Sequence, residues 1–393
     1  MVLDALQVRG PFKGPSGYEH HVREFVRELH RQGVAIELVD YPAWGPARLP
    51  AKLRDPWFES LDRPTGARVV LHFLMPHQVL PDPKRANVNF TMFEATRIQP
   101  AWVAHSRRHD LIVLPTDSSR RAWVESGVPR SKLRQCPLGI NPARFSGSAE
   151  PMPLRRATGE PLSQYRVRFL NVSELGRRKN ILGLLRAWLR ATSRRDDAVL
   201  IVKLGCYTPD RVALLRRQVE RLERQSGRGL GDAAPVHFVS EQFSDIDMPG
   251  LYAAATHYIS LSFGEGWDQS MVEAAASGLR LIAPNHSAYT AYLDPSVATL
   301  VTSRVVPAEF PDGEDGVLFH GASWWEPDED DAVAAIRAAI DGRDHGKASP
   351  RDRVLRELTW EIATSRLIAI LSEAEALRAR QRFWPRLRWY RPR

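Results

Sequence analysis

The residues with the most chemical content lie in SFGEGWDQSMVEAAASG, residues 262–278. An apolar segment, HYISL, precedes it, and Met271, Val272 and Ala275 continue it at helical spacing. Glu265 then falls in the connecting loop and Glu273 about one turn into the helix. The backbone N–H groups of Gly266, Trp267, Asp268, Gln269 and Ser270 lie around a helix N-terminus, where orphan donors and the helix dipole suit a phosphate. A carboxylate placed like Glu273 can accept both hydroxyls of a ribose, as acids do in dinucleotide folds. The same spacing also fits an exposed helix acid at Glu273 and a plain cap at Asp268, so spacing alone leaves both readings open.

Elements able to hold these residues follow from the periodicity of the 393-residue chain. After LDALQVRG, a strand candidate, and a loop with Gly10, Gly14 and Gly17, the residues Val22, Phe25, Val26 and Leu29 repeat at helical spacing. VAIELVD, ARVVLHFLM, NVNFTMF and DLIVLP read as further strands of the apolar kind buried in parallel sheets. Residues 146–164 are rich in Pro, Gly, Ser and charge and have no apolar period, the pattern of a linker. A second series follows, with strands at YRVRFLNVS, AVLIVKLG, VHFVS, HYISLS and RLIAP and a helix marked by Ile181, Leu184, Leu185, Trp188 and Leu189. Further helices are expected around 210–225 and 268–277, and over DEDDAVAAIRAAIDG, where Asp328 to Asp331 suit a helix start and Gly342 its end. The alternation predicts an α/β protein of two domains, 1–150 and 165–365, joined by a linker at 151–164 and followed by a helix and tail over 366–393. The interface between two such domains is the default place for a ligand.

Composition excludes several classes. Apolar residues at 43% and charged residues at 26% rule out disordered, collagen-like and coiled-coil chains. No apolar run approaches the roughly 18–20 residues of a membrane span. MVLDALQVRG lacks the pattern of a signal peptide, and two cysteines, Cys136 and Cys206, make no disulfide framework, so a cytoplasmic location is expected. The net charge of +9 is unevenly placed: residues 380–393 hold six arginines and no acid, leaving +3 for the rest. Phe383, Trp384, Trp389 and Tyr390 interleave those arginines, which suits a peripheral contact with an anionic inner membrane face. Nucleic-acid phosphates and bases would use the same residues, and an end that merely packs needs neither.

The stretch around Glu265 resembles the Glu-x7-Glu motif of retaining glycosyltransferases with the GT-B fold, most closely glycosyltransferase family 4. Glu265 and Glu273 occupy its two positions, and EAAASGLRLIAP is similar to the family's EAMACGxPVIA. IVLPTDSSRRAWVESGVPRSKLRQCPLGINPARF resembles the segment closing the family's first domain, and RFLNVSELGRRKNILGLLRAWLRA the strand and phosphate-binding turn opening its second. GPSGYEHHVREFVRELHRQGVAIELV is similar to its Gly-rich first loop and helix. The resemblance implies two Rossmann-like α/β domains facing each other across a cleft. It also implies transfer of a sugar from a nucleoside diphosphate sugar, UDP- or GDP-linked, to a hydroxyl of a glycan, lipid-linked glycan or small molecule, as in bacterial polysaccharide synthesis. No cofactor beyond that substrate, no metal and no nucleic-acid partner are expected.

By the same resemblance, Glu273 would hold the ribose, Glu265 would contact hydroxyls of the sugar, and Gly266 to Ser270 would offer backbone donors to the sugar and diphosphate. Lys179 falls where the family places a lysine on the diphosphate. The family's arginine five residues before that lysine corresponds here to Glu174, which leaves Arg178 or Arg177 to supply the charge. Ser16 and Gly17 match the Gly-Gly that approaches the donor phosphate. The family's histidine near the sugar, in a pattern like T-x-H-D, corresponds to Thr91-Met92-Phe93-Glu94, so Phe93 stands in its place. Glu94 and His77 are the candidates on the acceptor side, with His72 near the same strand end.

Asp245-Ile-Asp247 matches the Asp-x-Asp metal motif of the other glycosyltransferase fold but precedes a helix start, where Asp is an ordinary cap. No Cys/His cluster has zinc spacing, and Gly10, Gly14 and Gly17 do not make a GxGxxG fingerprint. An epimerase or phosphorylase on the same fold, and a non-catalytic binder of nucleotide sugars or nucleic acid, remain open alternatives.

Overall fold

The short apolar strands at the start of the chain are buried on both faces, as parallel strands covered by helices must be. The computed structural model describes residues 3–145, 147–205, 208–310, 316–344 and 347–387, with side chains as far as 381. In it β1 (Ala5–Arg9), β2 (Ala35–Val39), β3 (Val69–Phe73), β4 (Ala86–Phe90), β5 (Leu111–Leu114) and β6 (Leu133–Gln135) form a parallel sheet in the order β2-β1-β3-β4-β5-β6. The helices α1 (Gly17–Arg31), α2 (Pro100–Ser106) and α3 (Asp117–Glu125) alternate with these strands. The stripe Val22, Phe25, Val26 and Leu29 of α1 is wholly buried, and Ser16 with Glu19 forms a capping box at its start.

A second parallel sheet has the order β12-β11-β10-β7-β8-β9. It is built from β7 (Val167–Glu174), α4 (Ile181–Ala191), β8 (Ala198–Gly205), α5 (Pro209–Ser226) and β9 (Val236–Val239). The chain continues through α6 (Met248–Ala253), β10 (His257–Ile259), α7 (Gln269–Ala276), β11 (Arg280–Pro284) and β12 (Ala298–Val301). The apolar stripe of α4 centres on Trp188, whose ring meets Phe169 at 5.3 Å and whose Nε1 donates to the Ala234 carbonyl at 2.8 Å. A hairpin of β13 (Ser303–Pro307) and β14 (Ser323–Pro327), with α8 (Gly316–Phe319) between them, precedes α9 (Glu329–Ile340). Asp328 caps α9, acids fill its first turn, and Gly342 follows its end at φ +70°. The last helices are α10 (Arg351–Glu357) and α11 (Trp360–Leu387). Among the described residues no helix is long and apolar enough to cross a membrane. The tail side chains from residue 382 onward, which carry the proposed membrane contact, lie outside the described residues.

The chain divides into two compact units that do not follow its linear order. The first runs to Gly139 and includes 317–322 and everything from Leu358, while the second holds 140–316 and 323–357. A boundary at 150 and a separate terminal helix from 366 therefore differ from the observed division. Phe145 already packs on Tyr252 of the second unit, with rings 5.9 Å apart. At the other end α11 begins at Trp360, not 366, and packs against the first sheet. Trp360 meets Phe25 at 5.1 Å, the Cys136 thiol donates to the Ala363 carbonyl at 3.3 Å, and Arg134 and Arg68 pair with Glu373 and Glu375. Gly139 allows this close approach, since a Cβ there would lie 2.3 Å from the Trp360 nitrogen.

Leu371, fully buried on α11, tests whether this helix is part of the first unit's core. Leu371→Ala is expected to cost about 2–5 kcal/mol, read as a lower urea midpoint at unchanged slope. A midpoint equal to that of the unmodified chain would show that the helix is dispensable.

Candidate functional site

In an open parallel sheet, ligands bind beyond the carboxyl ends of the strands, where the strand order reverses. In the second unit that point lies between β7 and β10, because the chain leaves β7 toward β8 on one side while β10 flanks the other. The loops following these two strands are bonded to each other. Phe263 N–H and the Ser262 hydroxyl donate to the Arg178 carbonyl at 2.8 and 3.1 Å, and Arg178 Nη1 donates to the Gly264 carbonyl at 2.6 Å. Asn180 Nδ2 donates to the Leu261 carbonyl at 2.9 Å while its Oδ1 caps α4.

Glu265 sits between the loops, 5% exposed, with Arg178 Nη1 at 2.8 Å from one oxygen and Lys179 Nζ at 2.7 Å from the other. Burial pushes its pKa up, but the two cations outweigh burial and hold it at about 2. Its own N–H donates to Ser287 Oγ at 3.1 Å. Asp268, three residues on, is the N-cap of α7 and accepts from the Tyr289 hydroxyl at 2.8 Å and from Met271 N–H at 3.3 Å. Burial first, and then the Glu265 charge, raises Asp268 to about 6. Glu273 is buried and accepts from the Tyr252 hydroxyl at 2.7 Å. Ser270 lies in the first turn of α7, and Trp267 packs against Tyr292, whose hydroxyl donates to the Trp267 carbonyl at 2.9 Å. Gly266 is buried in the loop and Gln269 opens α7. Among the described residues, the non-glycine positions with positive φ are Asn180, Asp268 and Ser287, one in each of the three loops around Glu265. Such backbone persists only where surrounding contacts enforce it, and it concentrates at functional sites.

The structure thus brings Arg178, Lys179, Glu265 and Asp268 together and sets Glu273 on the following helix. Arg178, not the exposed Arg177, supplies the second cation. Arg211 adds a third cation to the turn by donating to the Leu175 carbonyl at 2.9 Å, while Glu174 ends β7 opposite Gly205. Sequence reasoning missed Tyr252, Ser262, Ser287, Tyr289 and Tyr292. A signal for the later three was present: NHSAYTAY is a polar, aromatic run directly after the apolar β11, at the ligand end of a parallel strand.

The first-unit candidates form a separate group. Ser16 is the N-cap of α1, and three donors of its loop are taken by Glu19, which accepts from Gly14 N–H at 2.6 Å, Ser16 N–H at 3.2 Å and the Ser16 hydroxyl at 2.8 Å. The position that has no room for a side chain is Gly14, where a Cβ would lie 2.3 Å from Glu19; at Gly17 it would meet nothing within 4 Å. His77 is exposed and stacks on Trp102 at 5.5 Å. His72 is buried in β3, held to Asn87 at 3.1 Å and lowered to about 4 by burial. Phe93 is a core residue between Trp102 and Phe319, at 5.0 and 4.7 Å. Glu94 lies half-buried past β4, where its charge acts on Tyr18. Asp247 occupies the N-cap position of α6 but does not cap it, because its carboxylate accepts from the Ser244 hydroxyl at 2.6 Å.

Sequence comparison finds no matching protein-family model and no matching curated protein. Solved structures do match over nearly the whole chain. Anabaena HepE in complex with UDP and glucose is 14% identical, covering 94% of this chain and 100% of its own at a TM-score of 0.64. Sucrose-phosphate synthase from Thermosynechococcus elongatus is 16% identical, with coverage of 95% and 99% and a TM-score of 0.66. A glycosyltransferase from Rickettsia africae is 12% identical, with coverage of 94% and 98% and a TM-score of 0.61. At these identities the likeness is one of fold: the chain has the GT-B type of architecture, with two parallel six-stranded sheets flanked by helices.

The two site carboxylates predict opposite pH effects on stability. Glu265, held low, contributes stability that is lost only as pH falls toward 2. Asp268, held at about 6, is favoured neutral by the fold, so its ionisation costs stability as pH rises through 6. Asp268→Asn is therefore expected to raise the melting temperature at pH 7.5, by a gain of order 1 kcal/mol, and to have no effect below about pH 4. A variant less stable than the unmodified chain at pH 7.5 would contradict this environment.

Proposed function

We propose that the chain is a retaining glycosyltransferase of the family 4 type, moving a sugar from a UDP- or GDP-sugar to a hydroxyl of a glycan or lipid-linked glycan. The observation that carries this reading is the switch-point cluster: two cations on one loop, a buried carboxylate between them on the other, and a second buried carboxylate on the helix that follows. The shared fold with HepE, solved with UDP and glucose, supports it.

In this reading Lys179 and Arg178 face the diphosphate. Lys179 gives one of its three N–H donors to Glu265, which leaves two for phosphate oxygens. Glu265, kept ionised by its cations, accepts from hydroxyls of the transferred sugar, and Glu273, oriented by Tyr252, accepts from the ribose. Gly266 to Ser270 lie at the start of α7 beside the diphosphate. Ser16 and Gly17 are the first unit's candidates for the donor, and Glu94 and His77 its candidates for the acceptor.

The bond from the sugar's anomeric carbon to the diphosphate breaks as the bond to the acceptor oxygen forms on the same face. The acceptor proton passes to the departing phosphate. Charge then develops on the diphosphate, where preorganised cations stabilise the transition state. The work is cytoplasmic, and residues 380–393 are the candidate membrane contact for a lipid-linked acceptor.

A thermal-shift panel of UDP, GDP, ADP, CMP and dTDP tests the donor site. A ligand at 100 times its Kd stabilises by about 2.7 kcal/mol. The expected result is a rise with UDP or GDP that Glu273→Ala loses. Glu265→Gln should then keep the fold and lose transfer by about 100-fold or more. No response to any nucleotide at millimolar concentration would sink the proposal, and donor turnover without a hydroxyl acceptor would move it to an epimerase or phosphorylase.

A further inference from the structure

Asp268 stands where a diphosphate is expected, at the start of α7, and it brings a negative charge of its own. It is partly buried, and its backbone is left-handed at φ +60° and ψ +75°. That conformation is uncommon for any residue but glycine, and it directs the carboxylate back over the helix N-terminus, where it accepts from Met271 N–H. Tyr289 holds the other oxygen and is itself bonded to Ser260 at 2.7 Å. The charged and titratable groups that act on Asp268 come from each surrounding element. They are Glu265 from its own loop, Lys179 from the turn before α4, Tyr258 from β10, and Tyr289 and Tyr292 from the segment after β11. Glu265 already takes one interaction from Lys179 and one from Arg178, so the Lys179 charge that acts on Asp268 is shared.

We propose that Asp268 is a donor-contacting residue that couples donor binding to uptake of one proton: as a carboxylate it fills the helix cap and repels the diphosphate, and as a carboxylic acid it donates a hydrogen bond to it. This rests on the donor-site reading above. Unlike Glu265, whose partners keep it ionised, Asp268 is poised to change charge in the range where cells work, since its environment holds it at about 6. The site then contains two carboxylates with separate tasks, one permanently charged and one switchable.

The test is the Kd of UDP and of GDP from pH 5 to 7.5, by calorimetry, for the unmodified chain and for Asp268→Asn. The nucleotide's own titration is common to both proteins, so the ratio of their Kd values isolates Asp268. The expected ratio is near one at pH 5 and about ten- to thirtyfold weaker binding by the unmodified chain at pH 7.5, because only the protonated fraction is competent. A ratio that stays flat while nucleotide binds would overturn the role of Asp268 and leave the donor site standing. No binding to either folded protein at any pH would overturn both. Should Asp268→Asn not fold, Tyr289→Phe serves instead. It removes a donor to the carboxylate, so the midpoint of the pH dependence should move upward, and an unmoved midpoint would count against the proposal.

Discussion

A carboxylate taken out of water without a partner costs several kcal/mol, and the pairing of Glu265 with Arg178 and Lys179 is how this protein meets that demand. The pairing is also a constraint on the chain. Its partners sit on loops that leave β7 and β10, so the two strands must be neighbours and the loops must meet at backbone level. The consequences spread outward. Asn180 turns left-handed to close the first loop and start α4, Ser287 turns left-handed to receive the Glu265 N–H, and Asp268 turns left-handed to start α7. Strain at these three positions is held in place by one buried charge and the groups that answer it.

Two of the helix starts at the sheet switch points, those of α1 and α7, carry an acid of the chain itself. Glu19 fills the loop before α1 and Asp268 the start of α7. The two are not equivalent. Glu19 accepts three hydrogen bonds within its own capping box and closes that loop firmly, whereas Asp268 makes one short and one long contact beside a competing carboxylate. The first resembles a structural lock, and the second a cap that can be exchanged.

Much of this was legible in the sequence, for identifiable reasons. The helix of Ile181, Leu184, Leu185, Trp188 and Leu189 and the strand AVLIVKLG were readable because period and burial coincide in a parallel sheet. Glu265, Lys179 and Glu273 were readable from spacing and resemblance. Their surroundings were not: Tyr252, Tyr289 and Ser287 reach the cluster through tertiary packing, which no local pattern records. The crowding at Gly14, where a Cβ would lie 2.3 Å from Glu19, was likewise invisible, because it depends on how the Glu19 side chain folds back over the loop. The division of the chain was misread for a similar reason, since an amphipathic helix announces an apolar face but not the sheet that will cover it.

The placement of α11 has a consequence for how the chain is made. The strands of the first unit leave the ribosome early, but the helix that covers part of that sheet is encoded about 220 residues after Gly139. At roughly 5–20 residues per second, the first unit waits on the order of ten to forty seconds with an apolar face uncovered, while the second unit can complete itself. A nascent chain of this architecture therefore finishes its middle before its beginning. For that interval its oldest segment is the one most in need of chaperone protection.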